Sequence, residues 1–409
     1  MKSVLMSAAV VAAMAVGAAP VVKESSVTMA QDLSGNVTIN YEIVNEPAIV
    51  TVDVQTNGVS IGGENLWYFA GDVNKLVGTG PHTMTWRPTK AWPGQKISDG
   101  VRAVVTAWAT NAPPDYFVTS LTAKNTRLFY ANAESIPGGV QNELYKTEML
   151  VLRKIPAAHV TYRMGQAPGE GDPLGNCPAH LVTLKDDFYM GVYQVTQRQY
   201  ELIKGENPSS FCRADCYRAR PVETLKYTDV RGATLGHNWP QDGHAVDDES
   251  FLGLLRAHTG VNHFDLPGEA RWEYACRAGS GEKAYGVLGS IARYKDNAGT
   301  SSDPDNKKGT NVVTAIVGSY EANGFGLYDM IGNVWEFCLD WHCQGNQLLT
   351  VTDPEQGVMM PSGSRVVKGG SHLNAENLCR AATRNQRAPT DVGHNGFGFR
   401  VVCEAGFAQ

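Results

Sequence analysis

The sequence predicts an α+β protein in which an all-β sandwich domain precedes a larger, loop-rich domain. Its 409 residues exceed what one hydrophobic core organises, so two or three domains are expected. Alternating apolar and polar residues dominate residues 35–125, whereas short helix signals begin only after residue 150. The 43 glycines and 20 prolines together exceed average usage, which indicates many turns and loops.

The first 20 residues have the three parts of a secretory signal peptide. Lys2 precedes an uncharged run from Val4 to Val16, and small residues follow that run. The run is shorter than the roughly 20 residues of a membrane span, and no later segment is long and apolar enough. We therefore expect an exported chain that starts near Pro20 or Val21 and does not span a membrane. A buried N-terminal helix is the alternative.

Composition limits the classes of partner. Apolar residues make up 43% of the chain and charged residues 19%, which permits packed cores and argues against a disordered chain. The net charge of −6 argues against nucleic acid as a partner, because a nucleic-acid-binding face is strongly basic. The hydrogen-bonding side chains of the loop from His372 to Asn395, rather than composition, indicate an exported protein or a glycan as the expected ligand class.

Residues 24–125 are predicted to form an Ig-like β sandwich. Apolar and polar residues alternate from Val37 to Ile43 and again from Ile49 to Val54, as in half-buried strands. Asn57-Gly58 follows the second run and is a strong hairpin signal, because both turn positions tolerate positive φ. Two further strands are expected, at His82 to Trp86 and at Val101 to Thr110.

A linker is predicted over residues 126–145, and the second domain over residues 146–404. Three helices are expected in the second domain. The first begins at the capping box from Thr196 to Gln199, where the hydroxyl and the amide each satisfy a backbone group. The second runs from Asp247 to His258 and the third from Pro267 to Gly279, each with a glycine at its end.

Four segments of the second domain occur in one order along the chain: Phe188–Tyr200, Leu266–Gly279, Gly324–Glu336, and Lys368–Ser371 with Gly398–Arg400. Together they resemble the formylglycine-generating enzyme (sulfatase-modifying factor) family. The resemblance covers about 60% of the chain and implies a loop-rich, C-type-lectin-like fold.

Two carboxylates flank a Gly-Asn turn in the third of these segments. Carboxylates and backbone carbonyls are the ligands that Ca²⁺ prefers. The resemblance implies a calcium site, and its ligands would be Asp329, Glu336 and the carbonyls of Gly332 and Val334. The alternative is a turn held by amide hydrogen bonds without an ion. A second calcium loop, at Asn297 and the Ala298 carbonyl, matches the family less clearly.

The cysteines decide whether the oxidase chemistry of the family is expected. That chemistry uses two Cu(I)-binding thiols, five residues apart, shortly after the Gly-Gly-Ser turn, because Cu(I) prefers soft thiolates. Asn374 stands at the first thiol position here, so copper is not expected. Cys338 and Cys343 have the required spacing but follow a different element, and they remain an alternative copper pair. The family resemblance also implies a disulfide between Cys276 and Cys379.

Without the copper thiols, the resemblance favours a binding or assembly module. The loop from His372 to Asn395 is similar to the variable surface of lectin-like relatives and is rich in hydrogen-bonding side chains. The predicted ligand-binding residues are Asn374, Asn377, Arg384, Asn385, Arg387, His394 and Asn395. The alternative is an ordinary polar surface that binds no ligand. A formylglycine-generating oxidase, or another metal-dependent enzyme that modifies exported sulfatases, is the rival function.

Overall fold

A computed structural model of the chain describes residues 18–91, 100–166, 174, 179–213, 215–235, 239, 242–299, 312–342 and 363–408. Most of the predicted signal peptide, residues 1–20, lies outside these ranges. Among the described residues, no helix is long and apolar enough to cross a bilayer.

The described residues of the N-terminal β domain form nine strands and one short helix. The strands are β1 (Val21–Val22), β2 (Thr28–Gln31), β3 (Val37–Val44), β4 (Ala48–Thr56), β5 (Val59–Ser60), β6 (Phe69–Gly71), β7 (Lys75–Val77), β8 (Gly80–Trp86) and β9 (Val101–Trp108), and helix α1 spans Pro88–Ala91. One sheet has the order β1-β3-β8-β6, with β2 also paired to β3. The other has the order β5-β4-β7, with β9 also paired to β4. Side chains from both sheets form one core, so the predicted all-β sandwich is confirmed.

The apolar residues of the alternating pattern in β3 face the core, as expected for a half-buried strand. Along β3, Val37, Ile39, Tyr41 and Ile43 are buried, and the residues between them are exposed or half-buried. The hairpin between β4 and β5 also forms where it is predicted. Its two turn residues have φ values of 51° and 82°, the left-handed conformation that this turn requires.

The remaining elements belong to the second domain. Its strands are β10 (Tyr116–Ser120), β11 (Leu128–Tyr130), β12 (Met149–Ile155), β13 (Thr161–Met164), β14 (His180–Thr183), β15 (Phe188–Gly191), β16 (Phe264–Asp265), β17 (Trp335–Trp341), β18 (Arg365–Lys368), β19 (Arg384–Arg387), β20 (Phe397–Gly398) and β21 (Val402–Glu404). Its helices are α2 (Leu144–Thr147), α3 (Gln197–Lys204), α4 (Tyr227–Arg231), α5 (Phe251–Thr259), α6 (Glu269–Arg277) and α7 (Leu288–Ile291).

Two sheets organise the second domain. The larger has the order β11-β10-β12-β15-β21-β16, and the smaller has the order β19-β18-β17-β20. Strands β13 and β14 form a separate hairpin. With few short helices among many strands and loops, the domain has the predicted α+β class.

Strands β10 and β11 lie on either side of residue 125, the predicted end of the sandwich. Strand β10 pairs with β12 of the second domain, and β11, in the predicted linker, pairs with β10. Strand alternation alone does not reveal which sheet a strand joins. The domains also pack together, since Ile49 of β4 joins the core that contains Phe117 and Phe129.

The three predicted helices form. Thr196 and Gln199 make the reciprocal capping box at the start of α3, and Gly205 ends that helix in the left-handed conformation. Helix α5 begins later than predicted, because the side chain of Ser250 caps the amide of Gly253. Helix α6 covers the predicted third helix and carries Glu269, Trp272 and Glu273 into the interior.

Candidate functional site

The Gly369-Gly370 turn directly follows β18 and is packed too closely for side chains. Both residues have positive φ, 94° and 80°. A Cβ on Gly369 would lie 2.9 Å from the Met330 carbonyl oxygen, and one on Gly370 would lie 2.8 Å from the sulfur of Cys379. The turn therefore brings the chain against the loop that carries the predicted calcium ligands, as the paired glycines predict.

Asn374, which stands at the predicted position of the first copper thiol, stabilises a local turn. Its side-chain oxygen accepts hydrogen bonds from the Ser371 amide (3.0 Å) and the Ser371 hydroxyl (2.7 Å). Its carbonyl accepts from the Lys295 amide at 3.0 Å. The residue therefore has a structural function in the turn, which the sequence interpretation as a surface ligand residue did not anticipate.

The disulfide predicted between Cys276 and Cys379 does not form in the structure, and this prediction is corrected. Both side chains are buried free thiols. The Cys276 thiol contacts the Met330 carbonyl oxygen at 3.8 Å, whereas the Cys379 thiol contacts the carbonyl of Ser371, also at 3.8 Å. Burial raises the pKa of Cys379 to about 12, so this thiol stays protonated at neutral pH.

The alternative copper pair can be assessed only at Cys338, since Cys343 lies outside the described residues. Cys338 lies in β17 with its side chain fully buried. Burial raises the pKa of its thiol well above the ordinary value, which disfavours the thiolate that binds Cu(I).

The predicted calcium ligands converge on one side chain that the sequence interpretation did not single out, Gln194. Its Nε2 atom lies 3.1 Å from the carbonyl oxygen of Asp329, 3.5 Å from that of Gly332 and 3.2 Å from that of Val334. The same atom lies 3.0 Å from Oε1 of Glu336. We call these four oxygens the oxygen cluster. Positive φ at Asp329, Gly332 and Asn333 bends the loop so that its carbonyls turn inward.

Glu336 is held by three donors besides Gln194. The guanidinium of Arg400 contacts both carboxylate oxygens, at 3.0 and 3.1 Å, and the indole N–H of Trp272 donates to Oε2 at 2.7 Å. Arg400 also donates to the carbonyls of Gly191 and Tyr328, each at 2.7 Å. Arg400 thus ties β15, the fourth strand in the order of the larger sheet, and the loop of the predicted calcium ligands to one buried carboxylate.

The residues around the oxygen cluster fit a hard cation. Gln194 has two N–H groups for four oxygens, and its own Oε1 is buried with no hydrogen-bond partner among the described residues. The Asp329 carboxylate also lacks one hydrogen-bond partner among the described residues. Its Oδ2 accepts a hydrogen bond from the Gly318 amide at 2.7 Å, while its Oδ1 has no partner there. Burial raises the pKa of the Asp329 carboxyl to about 6. Unpaired buried oxygens next to converging carbonyls are what a calcium ion would satisfy.

In the second, weaker calcium loop, the positively charged side chain of Arg293 contacts the loop carbonyls. Its guanidinium donates to the carbonyls of Val313 at 3.0 Å and Ala298 at 2.6 Å, and also to that of Asn297. The Asn297 side chain also forms hydrogen bonds within the loop: it accepts one from the Tyr294 amide and donates one to the Ala292 carbonyl.

Arg384 is not part of a ligand-binding surface, and this prediction is corrected. Its side chain is 3% exposed, and its Nε contacts Oε1 of Glu269 at 2.6 Å. The neighbouring Lys368 pairs with Glu273 at 2.9 Å in the same buried ionic network. Along β19, Arg384 is buried, Asn385 is half-buried and Gln386 is exposed.

The other predicted ligand-binding residues reach the surface. Asn377 and His394 are exposed, and Asn385, Arg387 and Asn395 are half-buried. With the exposed Gln386 they form what we call the recognition surface. Strand β19 is at the edge of its sheet, so the described residues pair with it on one side only.

Two members of the recognition surface are held rigidly by an aromatic ring. The guanidinium of Arg387 lies 4.9 Å from the ring centre of Phe397, and it donates to the Val392 carbonyl at 2.7 Å. The ring of His394 meets the same Phe397 ring edge-on, with centroids 5.6 Å apart. Arg387 also pairs with Asp391 at 3.4 Å, so a cation and an imidazole both lie against the Phe397 ring.

The second domain also contains a pocket of about 80 Å³, lined by residues that include members of β16, β21 and α6. Its buried carboxylate is already satisfied: Asp265 contacts Arg231 at 2.7 and 2.9 Å and His244 at 2.8 Å. Burial opposes ionisation of Asp265, but these partners lower its pKa to about 2. None of the predicted ligand-binding residues lines this cavity.

Two residues of the site, Gln194 and Arg400, carry no sequence signal of their own. Both lie inside segments that support the family resemblance, but an isolated amide or arginine has no spacing that indicates a metal site. The sequence likewise does not single out Trp272 or Phe397 for a function at the site. Only the folded chain shows that all four support the oxygen cluster or the recognition surface.

Comparison with known proteins identifies the family of the second domain. The family model described as "Sulfatase-modifying factor enzyme 1-like domain" matches residues 147–405. A formylglycine-generating enzyme of Streptomyces coelicolor is 34% identical over 276 residues, which cover 60% of this chain and 87% of the relative. Chaperone protein LppX of Paenibacillus barcinonensis is 32% identical over 247 residues, or 54% of this chain and 81% of the relative. Among solved structures, Treponema denticola variable protein 1 is 25% identical with a TM-score of 0.48, covering 63% of this chain and 95% of the other.

Proposed function

The chain belongs to the sulfatase-modifying factor enzyme 1-like family, and within that family we propose that it is a binding or assembly module rather than an oxidase. The observation that carries the proposal is the environment of the Gly369-Gly370 turn. Asn374 stabilises the turn there, and the nearest described thiol, Cys379, is buried and protonated. A Cu(I) site requires thiolates, and these residues offer none at that position.

The recognition surface is the proposed contact region. Arg387 and His394 are fixed by Phe397, and amide side chains on either side can donate and accept hydrogen bonds. A guanidinium held in this way suits a carboxylate of another exported protein, because the two form short, charge-assisted hydrogen bonds. A relative that bears the name of a chaperone protein supports a function other than oxidation. A glycan ligand is the alternative.

Three further properties are part of the proposal. The signal peptide at residues 1–20 directs the chain out of the cytoplasm, to a secreted, periplasmic or cell-surface location. The N-terminal β domain has an Ig-like arrangement and acts as a spacer or as a second contact surface. A calcium ion bound at the oxygen cluster stabilises the loop of the second domain, through the carbonyls of Gly332 and Val334 and through Glu336.

Replacing Arg387 by alanine is expected to weaken ligand binding at least about tenfold, since a hydrogen bond to a charged group contributes about 1.5 to 3 kcal/mol. The purified protein is first screened against arrays of peptides and of glycans, and the affinity of each hit is then measured for both variants. Arg163→Ala, an exposed arginine on β13, is the matched control and should bind as the unaltered protein does.

The screen also separates the candidate ligands. Peptide hits that depend on Arg387 support another protein as the ligand. Glycan hits with the same dependence mean that the ligand is a glycan instead. If every hit binds Arg387→Ala as tightly as the unaltered protein, the recognition surface is not the contact region.

The rival function, a formylglycine-generating oxidase, is favoured by one specific observation. The relative from Streptomyces coelicolor is named a formylglycine-generating enzyme, and its similarity to this chain extends over 87% of its own length. In this chain the activity would have to use Cys338 with Cys343, and Cys338 is fully buried.

A further inference from the structure

We propose that two copies of this chain associate through the outer edge of strand β9, which pairs with the same strand of a second copy in an antiparallel register centred on Val104. The contact lies in the N-terminal β domain and is independent of the recognition surface. Four features of β9 support it: its unpaired edge, its unprotected length, the alternation of its side chains and the position of its charge.

The outer edge of β9 has no paired strand among the described residues. The strand pairs with β4 from Val101 to Trp108, and with no other described strand. Just before β9, the Asn57 amide donates to the Gly100 carbonyl at 2.9 Å, so these two residues form a hydrogen-bonded pair of the ladder. Such pairs alternate along antiparallel strands. Every second residue of β9, beginning with Val101, therefore directs its N–H and C=O groups away from β4.

Strand β9 lacks the features that protect most edge strands from pairing. Natural edges are short, bulged, or carry proline and lysine. The other edge strands of the described sandwich are short: β1, β2, β5, β6 and β7 have two to four residues each, and β1 and β2, which lie near β9, pair with β3 instead. Strand β9 has eight residues, its register with β4 is continuous, and it contains neither proline nor lysine. An unprotected edge of this length is a surface for pairing with another strand.

The apolar side of β9 is only partly covered. Its core-facing side chains are the same ones whose backbone groups point outward, and all are half-buried: Val101, Ala103, Val105 and Ala107. On the neighbouring β4, by contrast, the core-facing Val50 and Val54 are completely buried. A further strand along β9 would cover this apolar side, so hydrophobic burial would add to the backbone hydrogen bonds.

A second copy of β9 is complementary in shape to this edge. In an antiparallel pairing centred on Val104, the outward-directed residues of the two copies meet in four pairs, which gives about eight backbone hydrogen bonds. Every pair sets a valine against an alanine, because Val101 faces Ala107 of the second copy and Ala103 faces Val105. Shifting the register by two residues in either direction leaves three pairs, and it sets valine against valine and alanine against alanine.

Charge also fits a second copy in this register. Arg102 is the one charged residue of β9, and its exposed guanidinium donates to the Gln55 side chain at 2.9 and 3.1 Å. It would lie opposite Thr106 of the second copy, so the two arginines do not face each other. Val104, which is half-buried on the same face of the strand, would meet its own counterpart. In such a non-hydrogen-bonded pair the Cα atoms are about 4.5 Å apart, which allows the two valines to pack directly.

Sedimentation equilibrium of the purified chain and two charge variants tests the proposal. The unaltered chain is expected to dimerise reversibly. Val104→Glu should weaken the dimer at least about tenfold, because it sets two like charges opposite each other, beside Asp53 on β4 of each copy. Thr106→Glu is the matched control: the same charge would face Arg102 of the second copy, so this variant should dimerise at least as tightly as the unaltered chain. Thermal unfolding checks that each variant is folded.

Disulfide trapping measures the register directly. The short Cα–Cα distance of the central pair suits a disulfide, so Val104→Cys should form a covalent dimer under mild oxidation. Thr106→Cys should not, because its two introduced thiols would be four residues apart along the strands, about 14 Å. The unaltered chain, whose Cys212 is an exposed free thiol, gives the background, and mass mapping of the linked peptides identifies the bridge.

The outcomes that overturn the proposal are specific. If the unaltered chain stays monomeric, or if folded Val104→Glu dimerises as tightly as the unaltered chain, a second copy does not occupy the β9 edge, which is then open to an extended segment of another protein. If Thr106→Glu weakens the dimer as much as Val104→Glu does, the register centred on Val104 is wrong. If Val104→Glu does not fold, trapping decides: a covalent yield for Val104→Cys no higher than for Thr106→Cys also overturns the proposal.

Discussion

Replacing Arg400 by methionine is expected to lower the free energy of unfolding of the second domain by about 3 to 5 kcal/mol. The guanidinium is completely buried and contacts both oxygens of the buried Glu336 carboxylate. Methionine fills much of the volume but leaves the carboxylate without its cation, and an unpaired buried charge is costly. Urea unfolding followed by tryptophan fluorescence, at fixed Ca²⁺ concentration, measures the loss.

Two further variants isolate the cause. Arg163→Met, at an exposed position on β13, should change the free energy of unfolding by no more than about 0.5 kcal/mol. The double variant with Arg400→Met and Glu336→Gln should regain part of the lost stability, because the uncompensated charge is gone. A loss below about 1 kcal/mol for Arg400→Met would show that Glu336 does not depend on this partner.

Substitution of Gly332 by alanine is expected to cost about 2 to 5 kcal/mol, in two parts. The residue has φ of 81°, a conformation that costs an L-residue about 1 to 2 kcal/mol. A Cβ there would also lie 2.4 Å from the backbone carbonyl oxygen of Arg293, and forcing such a contact apart costs about 1 to 3 kcal/mol more. Thermal and urea unfolding of the purified variant measure the total.

Gly205 provides the matched control for this substitution. It ends α3 with φ of 77°, and a Cβ there would have no atom within 4 Å. Gly205→Ala should therefore cost only the conformational part, about 1 to 2 kcal/mol. Equal losses for the two variants would mean that the approach of Arg293 to Gly332 is not a tight contact.

Local sequence patterns were sufficient for much of the fold. The period-two alternation of β3 predicts a half-buried strand, and Asn57-Gly58 predicts a hairpin. Both form in the structure. The capping box of α3 is equally local, since both of its hydrogen bonds lie within four residues. Long-range pairing is different: β10 has the pattern of a sandwich strand but joins the sheet of the second domain.

The site was predicted only in part, for a related reason. Asp329, Gly332, Val334 and Glu336 come together because they are close in sequence within one loop. The similarity of its loop to a lectin-like surface placed Arg384 among the exposed residues, whereas in the structure it lies buried in β19 and pairs with Glu269. Gln194 reaches the loop from another element, and its neutral amide carries no sequence signal for a cation site.

Incubation with Cu(I), oxygen and a peptide that contains the Cys-x-Pro-x-Arg motif tests the central proposal most directly. The purified protein is expected to leave the peptide mass unchanged and to form no aldehyde, because Asn374 and the buried Cys379 provide no thiolate pair beside the Gly369-Gly370 turn. Oxygen-dependent aldehyde formation that is lost on replacing Cys338 or Cys343 would contradict the proposal and establish the chain as an oxidase.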